Sequence, residues 1–203
     1  MAEPEQKSRE SAALAYLAEQ LGPKAPSKLT FVSTFAETPL DGEGGASLFS
    51  FSLTPEPGAA ACGSPPPDGL HYVVAGETVA NYFPAYGLDA DDAYSLHLGT
   101  RFLLEMRIGR IDPDQESPGF RDAMHGAIRE TLAGVEIEHE SLAGLFRGDE
   151  QTYAVYRLTL KGEDVYFMGG DCPPGFYRLA QWPPQVALRL HLGKLIRAER
   201  AEA

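Results

Sequence analysis

The stretch "DADDAYSLHLGTRFLLEMRIGRI", residues 89–111, sets two opposed patterns side by side. Its opening has the chemistry of a helix start. Asp89 is placed to cap the orphan amides of a first turn, and Asp91 and Asp92 complement the positive end of the helix dipole. Beyond Gly99 the pattern changes to period two. Phe102, Leu104, Met106 and Ile108 alternate with Leu103, Glu105 and Arg107, which predicts a strand with one wholly apolar face. The reading therefore divides the segment at Gly99, with a short helix before it and a strand after it.

A cap worth about 0.5–2 kcal/mol accounts for every carboxylate here without chemistry. The functional alternative uses the same residues. Asp91, Asp92 and His97 offer the ligand types of a divalent cation, or an acid–base pair suited to a metal-assisted or acid–base hydrolase. Their spacing matches no established ligand motif, an EF-hand loop is absent, and Ser95 lacks the G-x-S-x-G elbow that would expose it as a nucleophile. Structure is the default assignment.

Upstream, Ala13, Leu14, Leu17 and Leu21 form one apolar stripe at helical spacing, stopped by Gly22-Pro23. Leu29, Phe31 and Phe35 alternate with Thr30 and Thr34, and Phe49, Phe51 and Leu53 alternate with Ser50 and Ser52. With a polar, glycine-rich connection between them, these two segments predict a hairpin. Residues 54–69 carry too little side chain to bury and read as a Pro/Gly-rich loop or flap. A third strand follows in "LHYVVAG". The next segment, "ETVANYFPAYGLD", reads as an irregular bridge whose Tyr82, Phe83 and Tyr86 either cover the core or meet a ligand.

Downstream, Ser117 caps a helix with Pro118 in its first position and Gly134 at its end, its apolar face built from Phe120, Met124, Ala127, Ile128 and Leu132. Three strands are expected next, in "GVEIEHESLAGLF", "QTYAVYRLTL" and "DVYFMGG", with Lys161-Gly162-Glu163 marking a tight hairpin. In the first of these, Glu136, Glu138 and Glu140 fall at period two and predict a carboxylate ladder on a solvated face, with His139 on the apolar side. The chain closes in a helix whose Val186, Leu190 and Leu195 face inward, with Arg197 and Arg200 near its negative end. No internal repeat shows.

The expected architecture is α+β: residues 1–203 as a single domain, with a mainly antiparallel sheet of about six or seven strands. N-terminal, central and C-terminal helices would pack against it. The formal charge of −12 and pI near 4.8 argue against a nucleic-acid partner, whose phosphates need a basic surface, and against anionic lipid. The N-terminal stretch lacks the apolar core of a secretory signal, and no run approaches the ~18–20 apolar residues that span a bilayer. A cytoplasmic location is expected. Cys62 and Cys172 both sit beside prolines, too far apart for a metal knuckle; a disulfide between them would add about 4–5 kcal/mol but is opposed by a reducing compartment. Cys172 becomes a nucleophile only if a neighbour lowers its pKa. Neither GxxxxGK[ST] nor GxGxxG occurs, so no cofactor is implied. The expectation is a non-catalytic binding or protein-interaction module for a protein partner or an apolar small molecule, with Tyr82, Phe83 and Tyr86 as its contact surface.

Overall fold

The computed structural model describes residues 3–35, 45–53, 69–76, 80–85, 87–180 and 182–201. The fold is α+β, and its strands form two antiparallel sheets of four and five strands rather than one continuous sheet. The chain divides into two compact units, Met1–His97 and Leu98–Ala203. Among the described residues, no helix is long and apolar enough to cross a membrane.

The first unit begins with helix α1, Glu3–Leu21, followed by a single 3-10 turn at Gly22–Lys24. Gly22 has φ of +56°, the left-handed conformation that ends a helix at little cost only in glycine. Four strands follow: β1 (Thr30–Phe35), β2 (Ala46–Ser52), β3 (Leu70–Ala75) and β4 (Ala80–Pro84), each antiparallel to the next. The expected hairpin of β1 and β2 is present, interrupted by a bulge between Phe31 and Ser33. That bulge breaks the alternation read from sequence and leaves Phe31 and Val32 exposed. Ala13 and Leu17 of α1 pack on Leu29, Phe49, Phe51, Val73 and Ala75, with Leu14 and Leu21 at the margin. The expected flap lies, except for Gly69, outside the described residues.

The decisive stretch is helical as far as Glu105, and only its last three residues, Gly109–Ile111, form a strand. Helix α2 runs from Ala90 to Glu105, straight through Gly99. Its start is as expected: the Asp89 carboxylate accepts from the Asp92 amide at 2.8 Å, with Asp91 and Asp92 in the first turn. Its end corrects the strand reading. The Ile108 amide donates to the Leu103 carbonyl at 2.9 Å and Arg107 to Leu104 at 3.2 Å, with Arg107 at φ of +51°. This is a Schellman closure, fastened by apolar contact between Leu103 and Ile108 in one buried cluster. The period-two pattern is accidental: Leu103 is buried, while Leu104 is 68% exposed. Ala93, Tyr94, Leu96 and Leu98 are all buried, so the helix has apolar residues nearly all round and offers no polar stripe to betray its period.

The second unit contains β5 (Gly109–Ile111), α3 (Pro118–Thr131), β6 (His139–Arg147), β7 (Thr152–Leu160), β8 (Glu163–Gly170), β9 (Cys172–Tyr177) and α4 (Pro184–Ala201). Its sheet order is β5-β6-β7-β8-β9. Ser117 caps α3 as expected, accepting from the Phe120 amide at 3.2 Å. Lys161 and Gly162, both at positive φ, make the two-residue hairpin between β7 and β8. Central strand β7 is buried on both faces. Ala154, Tyr156 and Leu158 meet Met124 and Ile128 of α3, while Tyr153 and Val155 meet Ala187, Leu188 and Leu192 of α4. The segment holding Cys172 is the edge strand β9, where Pro173 and Pro174 are tolerated because one side needs no ladder.

Candidate ligand-binding cleft

The residues singled out in the sequence do not assemble into one site. The expected irregular bridge is strand β4, paired with β3 through Tyr72–Phe83 and Val73–Tyr82. Adjacent strand residues point to opposite faces. Tyr82 joins the core beside Tyr16, Phe51 and His71, and Phe83 lies against Tyr72. Tyr86 lies outside the described residues, as does Cys62. His97 is fully buried, with its Nδ1 at 2.7 Å from the Asn81 side-chain oxygen. Standing five and six residues beyond Asp92 and Asp91 on a helix, it occupies a different side from either. Ser95 donates to the Asp91 carbonyl at 2.8 Å, as a helix-interior serine commonly does. Among the described residues, no three His, Cys, Asp or Glu side chains gather as metal ligands.

The carboxylate ladder is also dispersed. Strand β6 begins only at His139, so Glu136 precedes it, and Glu138 accepts from the Gly162 amide at 3.1 Å. His139, expected on the apolar side, is exposed. Glu140 alone of the three turns toward other functional groups.

Those groups line a cleft of about 510 Å3 between α3 and the sheet of the second unit, bounded by Glu116, Arg121, His125, Arg129, Glu140 and Tyr156. At its base the Glu116 side chain is 2% exposed. One of its oxygens accepts from the Tyr156 hydroxyl, and the other from Arg121 Nε at 2.6 Å. A carboxylate so buried survives because both oxygens take charge-assisted or hydroxyl donors. Burial, reinforced by the hydrogen bond to Glu116, pushes the Tyr156 hydroxyl well above the ordinary tyrosine range, so it stays a donor and never acts as a base. The trio ties the start of α3 to β7. It is an anchor: each Glu116 oxygen holds a donor from the chain.

The rim is different. His125 Nε2 stands 3.1 Å from Glu140 Oε1, close enough to pair by charge but off the line of a hydrogen bond, and that buried oxygen receives no protein donor among the described residues. A buried acceptor without a donor costs about 1–3 kcal/mol, so its persistence asks for a reason. The His125 ring meets Tyr156 edge-on at 5.7 Å. Arg121, His125 and Arg129 recur every fourth residue and share one side of α3. Arg129 has no ion-pair partner among the described residues. The cleft sets Arg121 and Arg129 against Asp114, Glu116 and Glu140, with Arg121 already paired to Glu116.

No family model, curated protein or solved structure matches the chain. The cleft is thus read on its own geometry.

A second polar cluster lies on the other face of the same sheet. His191 of α4 donates from Nε2 to the Pro173 carbonyl at 2.9 Å, and its Nδ1 accepts from the Tyr177 hydroxyl at 3.2 Å. Cys172 Sγ is 3.7 Å from Nε2. The imidazole proton is already committed, and burial, with Asp171 nearby, pushes the free Cys172 thiol up to about 12. The pair is therefore no activated nucleophile. Burial lowers the His191 pKa, opposed by the Pro173 hydrogen bond and assisted by Lys194. The unfolded chain then binds the proton more readily, so stability is level above the ordinary histidine pKa of about 6.5 and falls as pH drops through it. Calorimetric melting temperatures between pH 7 and pH 5 should decline less in His191→Gln than in the parent. An unchanged slope would remove His191 from the acid response.

Glu116, Tyr156 and Arg121 carry no joint signal in the sequence: Tyr156 lies 40 positions from Glu116 and inside an otherwise apolar strand. The i, i+4, i+8 recurrence of Arg121, His125 and Arg129 is the one signal in the sequence that points to the cleft.

Proposed function

We propose that the protein is a non-catalytic binding module whose ligand is a small molecule bearing both an anionic group and a hydrogen-bond donor. The ligand occupies the cleft between α3 and the second sheet. The observation that supports this reading is the buried Glu140 Oε1 lacking a protein donor in the same cleft as Arg129, a guanidinium without an ion-pair partner among the described residues. An ammonium or hydroxyl would complete the carboxylate, and a phosphate or carboxylate would engage Arg129 with help from His125. The polar lining turns the expectation of an apolar ligand toward a zwitterion. A non-catalytic role is supported because both Glu116 oxygens already hold donors from the chain and Tyr156 holds its proton.

Phosphoethanolamine, which joins the two groups, is a suitable probe, with inorganic phosphate and ethanolamine as its separated halves. At about 100 times its dissociation constant a single-site ligand stabilises by roughly 2.7 kcal/mol, a rise of about 5–10 °C in melting temperature for a chain of this size. The joined probe should give such a rise and the halves a smaller one. Arg129→Ala and Glu140→Gln should each reduce it. A probe that leaves the melting temperature unmoved, or shifts both variants as much as the parent, would overturn the proposal.

A further inference from the structure

Along the chain the same elements occur twice in the same order once β5 is set aside: a helix, four antiparallel strands and a helix. The agreement extends to individual residues. In the first sheet Phe49 faces Phe31 on one side and Val73 on the other; in the second Tyr156 faces Leu142 and Phe167. From that starting point the registers match, except that the second sheet shifts between Met168 and Gly170 where the first continues to Ala75–Ala80. Tyr82 faces Val73 as Phe176 faces Phe167, and Phe83 faces Tyr72 as Tyr177 faces Tyr166. The bulge between Phe31 and Ser33 recurs between Leu142 and Gly144 at the corresponding rung.

The sequence offsets are constant within blocks. First helix and first strand correspond at 111 positions, so Ala13 meets Met124, Leu17 meets Ile128 and Leu21 meets Leu132, each pair in its unit's core cluster. The third strand, fourth strand and last helix correspond at 94 positions without a gap. Within that block Leu96-His97-Leu98-Gly99 reappears as Leu190-His191-Leu192-Gly193. Both histidines are buried and bond within their own unit, His97 to Asn81 of the fourth strand and His191 to Pro173 and Tyr177 of its counterpart. The offset changes only in the hairpin loops, where insertions are tolerated.

We infer that the chain is a tandem duplication of one α-ββββ-α module, and that the second copy alone was converted into a ligand site, with His125 and Glu140 as its specificity-determining pair. The equivalents of these two residues at the 111-position offset are Leu14 and Leu29. In the first copy those leucines share one apolar cluster, with Leu29 3% exposed. Phe49, also in that cluster, corresponds to Tyr156. One fold thus closes the same place with hydrocarbon and, in its second copy, opens it with an imidazole, a carboxylate and a phenol. The module does not need the polar pair to fold. A polar pair kept where leucines suffice is kept for what it binds. The ligand class rests on the proposed function; the duplication and the dispensability of the pair for folding do not.

The test returns the first copy's residues to the second, as the double variant His125→Leu and Glu140→Leu in the full chain. Removing both partners together leaves no orphaned charge. The variant should melt cooperatively at a temperature no lower than the parent's and lose the phosphoethanolamine shift. Glu140→Gln alone, nearly isosteric, should keep the parent's melting temperature and lose most of that shift. A fall of more than about 5 °C in both variants would make the pair structural and overturn the inference. Stable variants beside a parent that ignores every probe would sustain the duplication and refute the zwitterion.

Discussion

Gly99→Ala should destabilise the protein by at least about 3 kcal/mol, lowering the melting temperature by roughly 6–12 °C. A Cβ at this position would stand 1.8 Å from the Arg189 carbonyl oxygen and 2.6 Å from its carbonyl carbon. Both are main-chain atoms, so no rotamer change relieves the clash. The two backbones must separate and give up packing around Leu103, Leu188 and Leu192. The sign of the effect is informative, because an alanine in a helix interior is ordinarily better than glycine by about 1 kcal/mol. Gly126→Ala is the matched control: it lies in α3, with nothing within 4 Å of an added Cβ. It should stabilise by about 0.5–1 kcal/mol. Urea unfolding of the two variants against the parent measures the contrast, and a Gly99→Ala protein as stable as the parent would refute the close approach.

Leu17→Ala and Ile128→Ala should each cost about 2–5 kcal/mol. Both side chains are fully buried, one against Phe49 and Val73 and the other against Tyr156 and Phe167. Because they occupy corresponding places in the two modules, the cavity left by each is walled by corresponding residues, and the two penalties should agree within about a factor of two. Chemical unfolding monitored by tryptophan fluorescence and circular dichroism reads both. A cost below about 1 kcal/mol at either position would contradict its burial.

The elements that were legible in the sequence are those governed by local chemistry. Asp89, Ser117 and Pro118 begin helices because their side chains or missing amide meet the needs of a first turn. Lys161-Gly162 turns a hairpin through positive φ at both residues. The stripes Ala13–Leu17–Leu21 and Met124–Ile128–Leu132 announce helices because only one of their faces is buried. Residues 100–105 misled for the opposite reason. A helix whose neighbouring turns are apolar nearly all round has no face to alternate with, and the sequence then mimics a strand. β4 was mistaken for an irregular bridge because its aromatic residues stand on both faces around a proline.

The matched register leaves little trace in the sequence, because the two sheets share pairing positions more than residue types. Strand pairing conserves which residues stand opposite one another, while the side chains themselves were free to change from Leu14 to His125 and from Phe49 to Tyr156. Caps, turns and one-sided helices were determined by the sequence alone, since each depends on residues within a turn or two of one another. The cleft was decided only by tertiary structure. Glu116, His125, Glu140 and Tyr156 come from α3, its approach and two strands, and only antiparallel pairing beneath a packed helix brings groups so distant in the chain within hydrogen-bonding and ring-contact range.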